Sequence, residues 1–346
     1  MSVDVEIREQ PAVARRQLAE GWDAVRTAVA SFPAGGIRHV VIAARGTSDH
    51  AAIYAQYVLG ARNRLPVTLA APSIISMYGV APRFDGALVV GISQSGESPD
   101  VVAVVEAGKE QGCPTLAITN APGSPLASVA DHVLDLRAGP ELAVAATKTY
   151  TSELVAVAML SAALDDAPSA ARAELEQVPA AIERALEQAG VAGSVAAELA
   201  AMRQAIVVGR GFEYATAREW ALKLKEVALV FAEPYSPADL AHGPVAVLGP
   251  GAMVLAVAPS GVTAGQMHGI LAGLRDNVGT DLLVMSDLPA LRALGRWSIA
   301  LPSGLPEWLA PIAAIVPAQL FTVALARAKG LDPERPPHIR KVTLTS

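Results

Sequence analysis

The chain has little of what several broad functions require. It holds one cysteine, Cys113, in 346 residues. This excludes an intrachain disulfide and any cysteine-built metal cluster. Cys113 precedes the apolar run Pro114-Thr-Leu-Ala-Ile118 and reads as a buried thiol. Only 17% of residues are charged and the formal net charge is −6, so no basic face of the kind nucleic acid needs is expected. An anionic ligand would have to be drawn in by a local site against that balance. No G-x-x-x-x-G-K-S/T loop is present, and no G-x-G-x-x-G run follows a strand pattern, so nothing points to a nucleotide or another cofactor. His39, His50, His132, His268 and His338 are scattered, and no metal-ligand set emerges. The N-terminus lacks a basic stretch followed by an apolar one, so no signal peptide is expected. Residues 308–326 form the most apolar long stretch, but Pro311, Pro317 and Gln319 interrupt it and its length barely reaches a membrane span. It reads as a buried helix, and the protein as soluble and cytoplasmic, with no membrane or nucleic-acid partner.

What is present is an apolar chain, 52% hydrophobic and long enough for two domains with full cores. Short β-rich runs alternate with helical patterns, which predicts parallel sheets flanked by helices. Strand candidates are 39–44, 67–71, 87–92, 115–119 and 132–136, then 205–208, 253–258, 282–285 and 298–301. The two sets superpose at an offset of about 165 residues, which lays Arg45-Gly46 on Arg210-Gly211 and Ser95-Gly96 on Ser260-Gly261. Two copies of one α/β unit are expected. The division predicted is a helical segment over 1–34, a first domain over 35–194, a second over 195–330 and a tail over 331–346. Residues 170–200, rich in Ala and Glu, read as helical.

The most informative stretch is Gly91-Ile-Ser-Gln-Ser-Gly-Glu-Ser98. It joins a buried strand to a helix opened by Pro99, with Ser98 as N-cap candidate. Such a turn gathers unpaired backbone N–H groups, the positive end of a helix dipole and hydroxyls, which suit a phosphate dianion. It also fits a plain hydrogen-bonded strand–helix turn. The second copy reads Ala258-Pro-Ser-Gly-Val-Thr263 at this place and has lost Ser93 and Gln94, so only one copy is expected to hold an anion.

Glu219, Lys223 and Glu226 follow spacings of four and three and share one helix face. That pattern is a solvated salt-bridge stripe or, because Trp220, Leu222, Leu224 and Val227 make the helix apolar, a buried set with a proton-shuttling carboxylate. His242, before Gly243-Pro244, is a turn residue or a proton carrier near neutrality.

Six motifs together resemble the sugar isomerase (SIS) domain family in its double-domain form: Arg45-Gly-Thr-Ser-Asp-His50, Gly91–Asp100, Val144-Ala-Ala-Thr-Lys-Thr-Tyr150, Ala221-Leu-Lys-Leu-Lys-Glu226, His242-Gly-Pro244 and Lys341-Val-Thr343. They look like the isomerase half of glutamine–fructose-6-phosphate aminotransferase and, more closely, like glucosamine-6-phosphate deaminases without a glutaminase domain. The resemblance implies two tandem α/β domains, each a parallel five-stranded, flavodoxin-like sheet. It implies that Ser93, Gln94, Ser95 and Ser98 hold a sugar 6-phosphate, with Thr47 and Ser48 beside them, and that Val144 and Glu219 also line the substrate site. Glu226 would move a proton between C1 and C2. His242 would assist ring opening from the neighbouring subunit of a homodimer. Lys223 and Lys341 would serve the carbonyl end, Lys341 as a Schiff-base lysine on a tail that closes the site. No metal or other cofactor is implied.

The pattern also departs from the synthases. Ser2 stands where they carry a catalytic cysteine, Arg45 where they commonly have Cys, and Ala146 where they commonly have Ser. The expected reaction is conversion of glucosamine 6-phosphate to fructose 6-phosphate and ammonia. Alternatives are an isomerase or deglycase for another substituted hexose phosphate, ammonia-dependent synthesis, and a non-catalytic sugar-phosphate sensor. The sensor reading predicts loss of the acid/base set and an attached DNA-binding segment.

Overall fold

The computed structural model describes residues 3–33 and 36–341. Val342 and Thr343 of the last motif lie outside the described residues. Ten strands form two parallel sheets. The first contains β1 (His39–Ala43), β2 (Val67–Leu69), β3 (Ala87–Ile92), β4 (Thr115–Thr119) and β5 (His132–Asp135), in the order β2-β1-β3-β4-β5. The second contains β6 (Gln204–Gly209), β7 (Phe231–Tyr235), β8 (Met253–Val257), β9 (Asp281–Ser286) and β10 (Trp297–Ala300), in the order β10-β9-β8-β6-β7. Read from the other edge the second order is β7-β6-β8-β9-β10, the same topology as the first. This is the flavodoxin-like order, and it bears out the repeat and the two tandem sheets read from sequence.

The central strands read as unbroken apolar runs because helices cover both faces of such sheets. All six residues of β3 are buried. In the first repeat Val41, Val89, Val104, Val105 and Leu126 belong to one core. In the second, Val208, Val254, Met267, Leu271 and Val284 do so.

Nine of the ten strands were expected. The missing one is β7, which lies between the strand candidates 205–208 and 253–258 and carries a proline. Pro234 sits inside β7, opposite Val207 of β6. β7 is an edge strand with one neighbour, and there a residue without an N–H is tolerated. The helical stretch near 170–200 is three short helices, Pro168–Leu175, Val178–Leu186 and Ala189–Glu198.

By contacts the chain divides into two compact units that are not simple segments. One holds Met1–Pro11, Leu142–Thr147 and Gln177–Ile339; the other holds Ala12–Glu141, Lys148–Glu176 and Arg340–Ser346. In the first of these units the apolar helix Ala310–Ala328 keeps Pro317 within it and is almost wholly buried. The stretch Glu307–Ala328 has the length and hydropathy of a membrane span, yet 89% of its apolar window is buried inside the protein. Phe321 meets Trp220 edge-on at 5.7 Å between ring centroids.

Candidate active site

The first repeat builds its turn where β3 ends. Ser93, buried, accepts a hydrogen bond from the Gly96 N–H at 3.1 Å, and Ser95 accepts from Glu97 N–H at 3.3 Å. Gly96 has φ +66°, and a Cβ there would lie 2.0 Å from Ser124 Oγ. Glycine is therefore required on both conformational and steric grounds. Ser98 takes the N-cap position of the twelve-residue helix Pro99–Glu110 with Pro99 at its start, as expected, but its side chain makes no capping bond. The hydroxyl is left for another acceptor. Gln94 is half-buried, and its carbonyl receives the Asn120 N–H at 3.1 Å.

The neighbouring loop after β1 brings Thr47 and Ser48 to the start of the helix Thr47–Asn63. Ser48 donates its hydroxyl proton to the buried Glu153 at 2.7 Å. Arg45 follows β1 and reaches Asp100, with Nε at 2.8 Å and Nη2 at 2.6 Å from the same carboxylate oxygen. Sequence reasoning treated Arg45 and Asp100 as motif letters and missed the pair.

Lys341 is anchored within this same unit. Its Nζ lies 2.6 Å from Glu141 Oε2. The buried Glu141 also receives the Thr149 N–H at 3.1 Å and its hydroxyl at 2.7 Å. Glu141 was not singled out by sequence reasoning, since nothing local marks a partner two hundred positions away.

In the other unit, the helix Glu213–Ala228 carries the second set. Lys223 Nζ sits 2.6 Å from Glu226 Oε2 and 3.4 Å from Glu219 Oε1. The Glu219 and Lys223 side chains are buried, whereas Glu226 keeps 24% of its side chain exposed. The solvated-stripe alternative is thereby overturned, because two of the three charges are out of water. An ammonium between two carboxylates holds both without a net burial of like charge, and Glu226 remains the one that a reactant can touch. Val144 is half-buried in a loop of this unit whose preceding N–H groups, Leu142 at 2.5 Å and Ala143 at 3.2 Å, are held by the buried carboxylate of Glu6. His242 is exposed at the end of the short helix Pro237–Ala241, and its ring makes no hydrogen bond among the described residues.

The second copy of the turn is occupied by the protein itself. Asp287 takes the Ser260 N–H and hydroxyl, both at 2.6 Å, and Glu307 takes the Val262 N–H at 3.1 Å. A Cβ at Gly261 would lie 2.2 Å from the Glu307 carboxyl carbon. Nearby, Glu213 is buried with one oxygen unpartnered. Burial pushes its pKa up to about 8 against the pull of the Thr216 hydroxyl, and the Glu307 and Asp287 charges add to the rise. Two carboxylates on this turn disfavour an anion there. Among the described residues no group of three or more His, Cys, Asp or Glu is arranged to hold a metal ion.

A hydroxyl-lined, uncapped helix start lies at the carboxyl edge of a 2-1-3-4-5 sheet, which makes the first repeat a doubly wound α/β domain with a polar turn at the place where such sheets hold ligands. The chain belongs to the SIS domain family: the SIS domain profile matches residues 36–163 and 198–326. It is 35% identical over 307 residues to glutamine–fructose-6-phosphate aminotransferase (isomerizing) of Pyrococcus horikoshii, covering 87% of this chain and 51% of that enzyme. The chain thus spans about half the length of the curated relative it matches. A Silicibacter pomeroyi DSS-3 crystal structure, described as that of a phosphosugar isomerase, superposes with a TM-score of 0.84 at 33% identity over 95% of this chain and 98% of that one. The C-terminal domain of glucosamine-fructose-6-phosphate aminotransferase from Francisella tularensis gives 0.79 at 26% over 93% and 98%. The homology is therefore to the isomerase half of such aminotransferases. A glucosamine-6-phosphate deaminase from Thermotoga maritima shares the fold at only 19% identity, with a TM-score of 0.71 over 96% and 100%. The expected closer likeness to deaminases is not what the comparisons give.

Proposed function

We propose that the chain is an aldose–ketose isomerase acting on an amino-sugar phosphate, converting glucosamine 6-phosphate to fructose 6-phosphate and ammonia. The observation that carries this reading is Glu226, held at 2.6 Å by Lys223 on a buried helix face yet partly exposed to a reactant. Burying an acid–ammonium–acid set costs desolvation energy that simple recognition of a sugar does not require. The names of the aminotransferase relatives join isomerisation to fructose 6-phosphate and an amino group, which supports the same substrate class.

In this reading Ser93, Gln94, Ser95 and Ser98 take the phosphate. Glu226 removes the proton from C2 of the open-chain aldehyde, giving a cis-enolamine, and returns it to C1. The resulting ketimine at C2 adds water and releases ammonia. Run backwards with free ammonia, the same steps make the amino sugar. His242, exposed and with no hydrogen bond to its ring among the described residues, fits a role in a second subunit, and a homodimer is part of the proposal. Incubation with glucosamine 6-phosphate, reading ammonia and fructose 6-phosphate together, tests it with Glu226→Gln as control. Tight binding of both sugar phosphates without turnover would favour a sensor instead.

A further inference from the structure

The proposed phosphate turn lacks a positive side chain. Its hydroxyls and backbone N–H groups are neutral, Glu97 within it is an exposed acid, and the whole chain carries −6. A cation from elsewhere in the fold would add charge complementarity that these neutral groups do not supply. β1 and β3 pair in parallel with Ala43 opposite Gly91, so Arg45 and Ser93, each two residues further on, leave neighbouring strands at the same level. The Arg45 side chain then crosses to Asp100, the second residue of the helix that begins after Ser98.

Asp100 is 1% exposed and its other oxygen is held by the Val101 N–H at 2.9 Å, so it is a fixed post. It engages the guanidinium through Nε and Nη2 only. Arg45 has no other partner among the described residues, and its side chain is 47% exposed. Of its five N–H donors, those on Nη1 therefore remain for a ligand, on a group already pinned beside the helix N-terminus.

We infer that Arg45 is a specificity-determining residue for the phosphate: a clamp whose guanidinium, oriented by Asp100, bonds the anion that the serine turn cradles. Pinning in advance reduces the entropy lost on binding, which is where a planar fork outperforms a lysine. Asp100 is the acidic group paired with it. The inference rests on the reading of the Ser93–Ser98 turn as the phosphate site.

Calorimetric titration with fructose 6-phosphate and with inorganic phosphate, using wild type, Arg45→Ala, Arg45→Lys and Ser93→Ala, separates the two. Arg45→Ala is expected to weaken both ligands by about tenfold or more, as loss of a charge-assisted hydrogen bond does, and Arg45→Lys is expected to restore part of the loss. Asp100→Asn, which keeps the shape but frees the guanidinium, should weaken binding by a smaller factor. If Ser93→Ala weakens both ligands while Arg45→Ala binds them within twofold of wild type, the clamp is overturned and the turn stands. If Ser93→Ala changes nothing, or wild type binds neither ligand, the turn itself is misread and the clamp falls with it.

Discussion

Lys341 Nζ and Glu141 Oε2 lie 2.6 Å apart although their residues are 200 positions apart in sequence. The carboxylate side is wholly buried and the ammonium side mostly so. Removing the ammonium takes one charged partner from a buried carboxylate, so Lys341→Met should destabilise the chain by about 2 kcal/mol. Adding Glu141→Gln to that variant should return part of the loss. Urea unfolding of the two single variants and the double variant measures the coupling, and additive effects would show that the pair does not hold the tail.

Glu226→Gln keeps the shape and a partner for Lys223 but cannot carry a proton. Turnover of glucosamine 6-phosphate should fall by about a hundredfold or more, the usual contribution of a general acid/base. Affinity for fructose 6-phosphate should stay near wild type. A variant that retains more than a tenth of the rate would exclude Glu226 as the proton carrier.

Glu213 links stability to pH. Its pKa rises from 4.5 to about 8 on folding, first because of burial. Between those values the folded state binds more protons than the unfolded state, so stability falls as pH rises, by on the order of 5 kcal/mol in total. Denaturant midpoints measured from pH 5 to pH 9 should show that slope, and Glu213→Gln should flatten it and be the more stable protein at pH 9. Parallel pH curves for the two proteins would contradict the assignment.

Gly96→Ala meets both a positive φ and the Ser124 hydroxyl at 2.0 Å. The turn must shift, at a cost of roughly 1–3 kcal/mol. Binding of inorganic phosphate should be lost even at temperatures where circular dichroism shows the variant folded.

The fold was legible because its signals are local and repeated. Apolar runs mark buried parallel strands, and the offset of about 165 residues fixed Arg45-Gly46 and Ser95-Gly96 as echoes of Arg210-Gly211 and Ser260-Gly261. The face of Glu219, Lys223 and Glu226 followed from helical spacing, although burial, which decides its meaning, did not. β7 escaped because Pro234 speaks against a strand anywhere but at an edge. Pairs that span the chain escaped as well: Arg45 with Asp100, Lys341 with Glu141, and Glu6 with the Leu142 and Ala143 N–H groups. Such partners are brought together by topology, and no spacing rule reports them.

The carboxylates of Asp287 and Glu307 have a consequence for how the two copies tolerate emptiness. A turn whose N–H groups are met by carboxylates already holds negative charge with nothing bound, and a phosphorylated sugar is expected to add nothing to it. The first copy has no such internal stand-in for the ligand on its Ser98 hydroxyl, so ligand-linked stabilisation should fall on that half. Hydrogen exchange with and without fructose 6-phosphate would then slow at residues 93–102 and leave 258–267 unmoved, so that duplication has produced one responsive half and one indifferent scaffold.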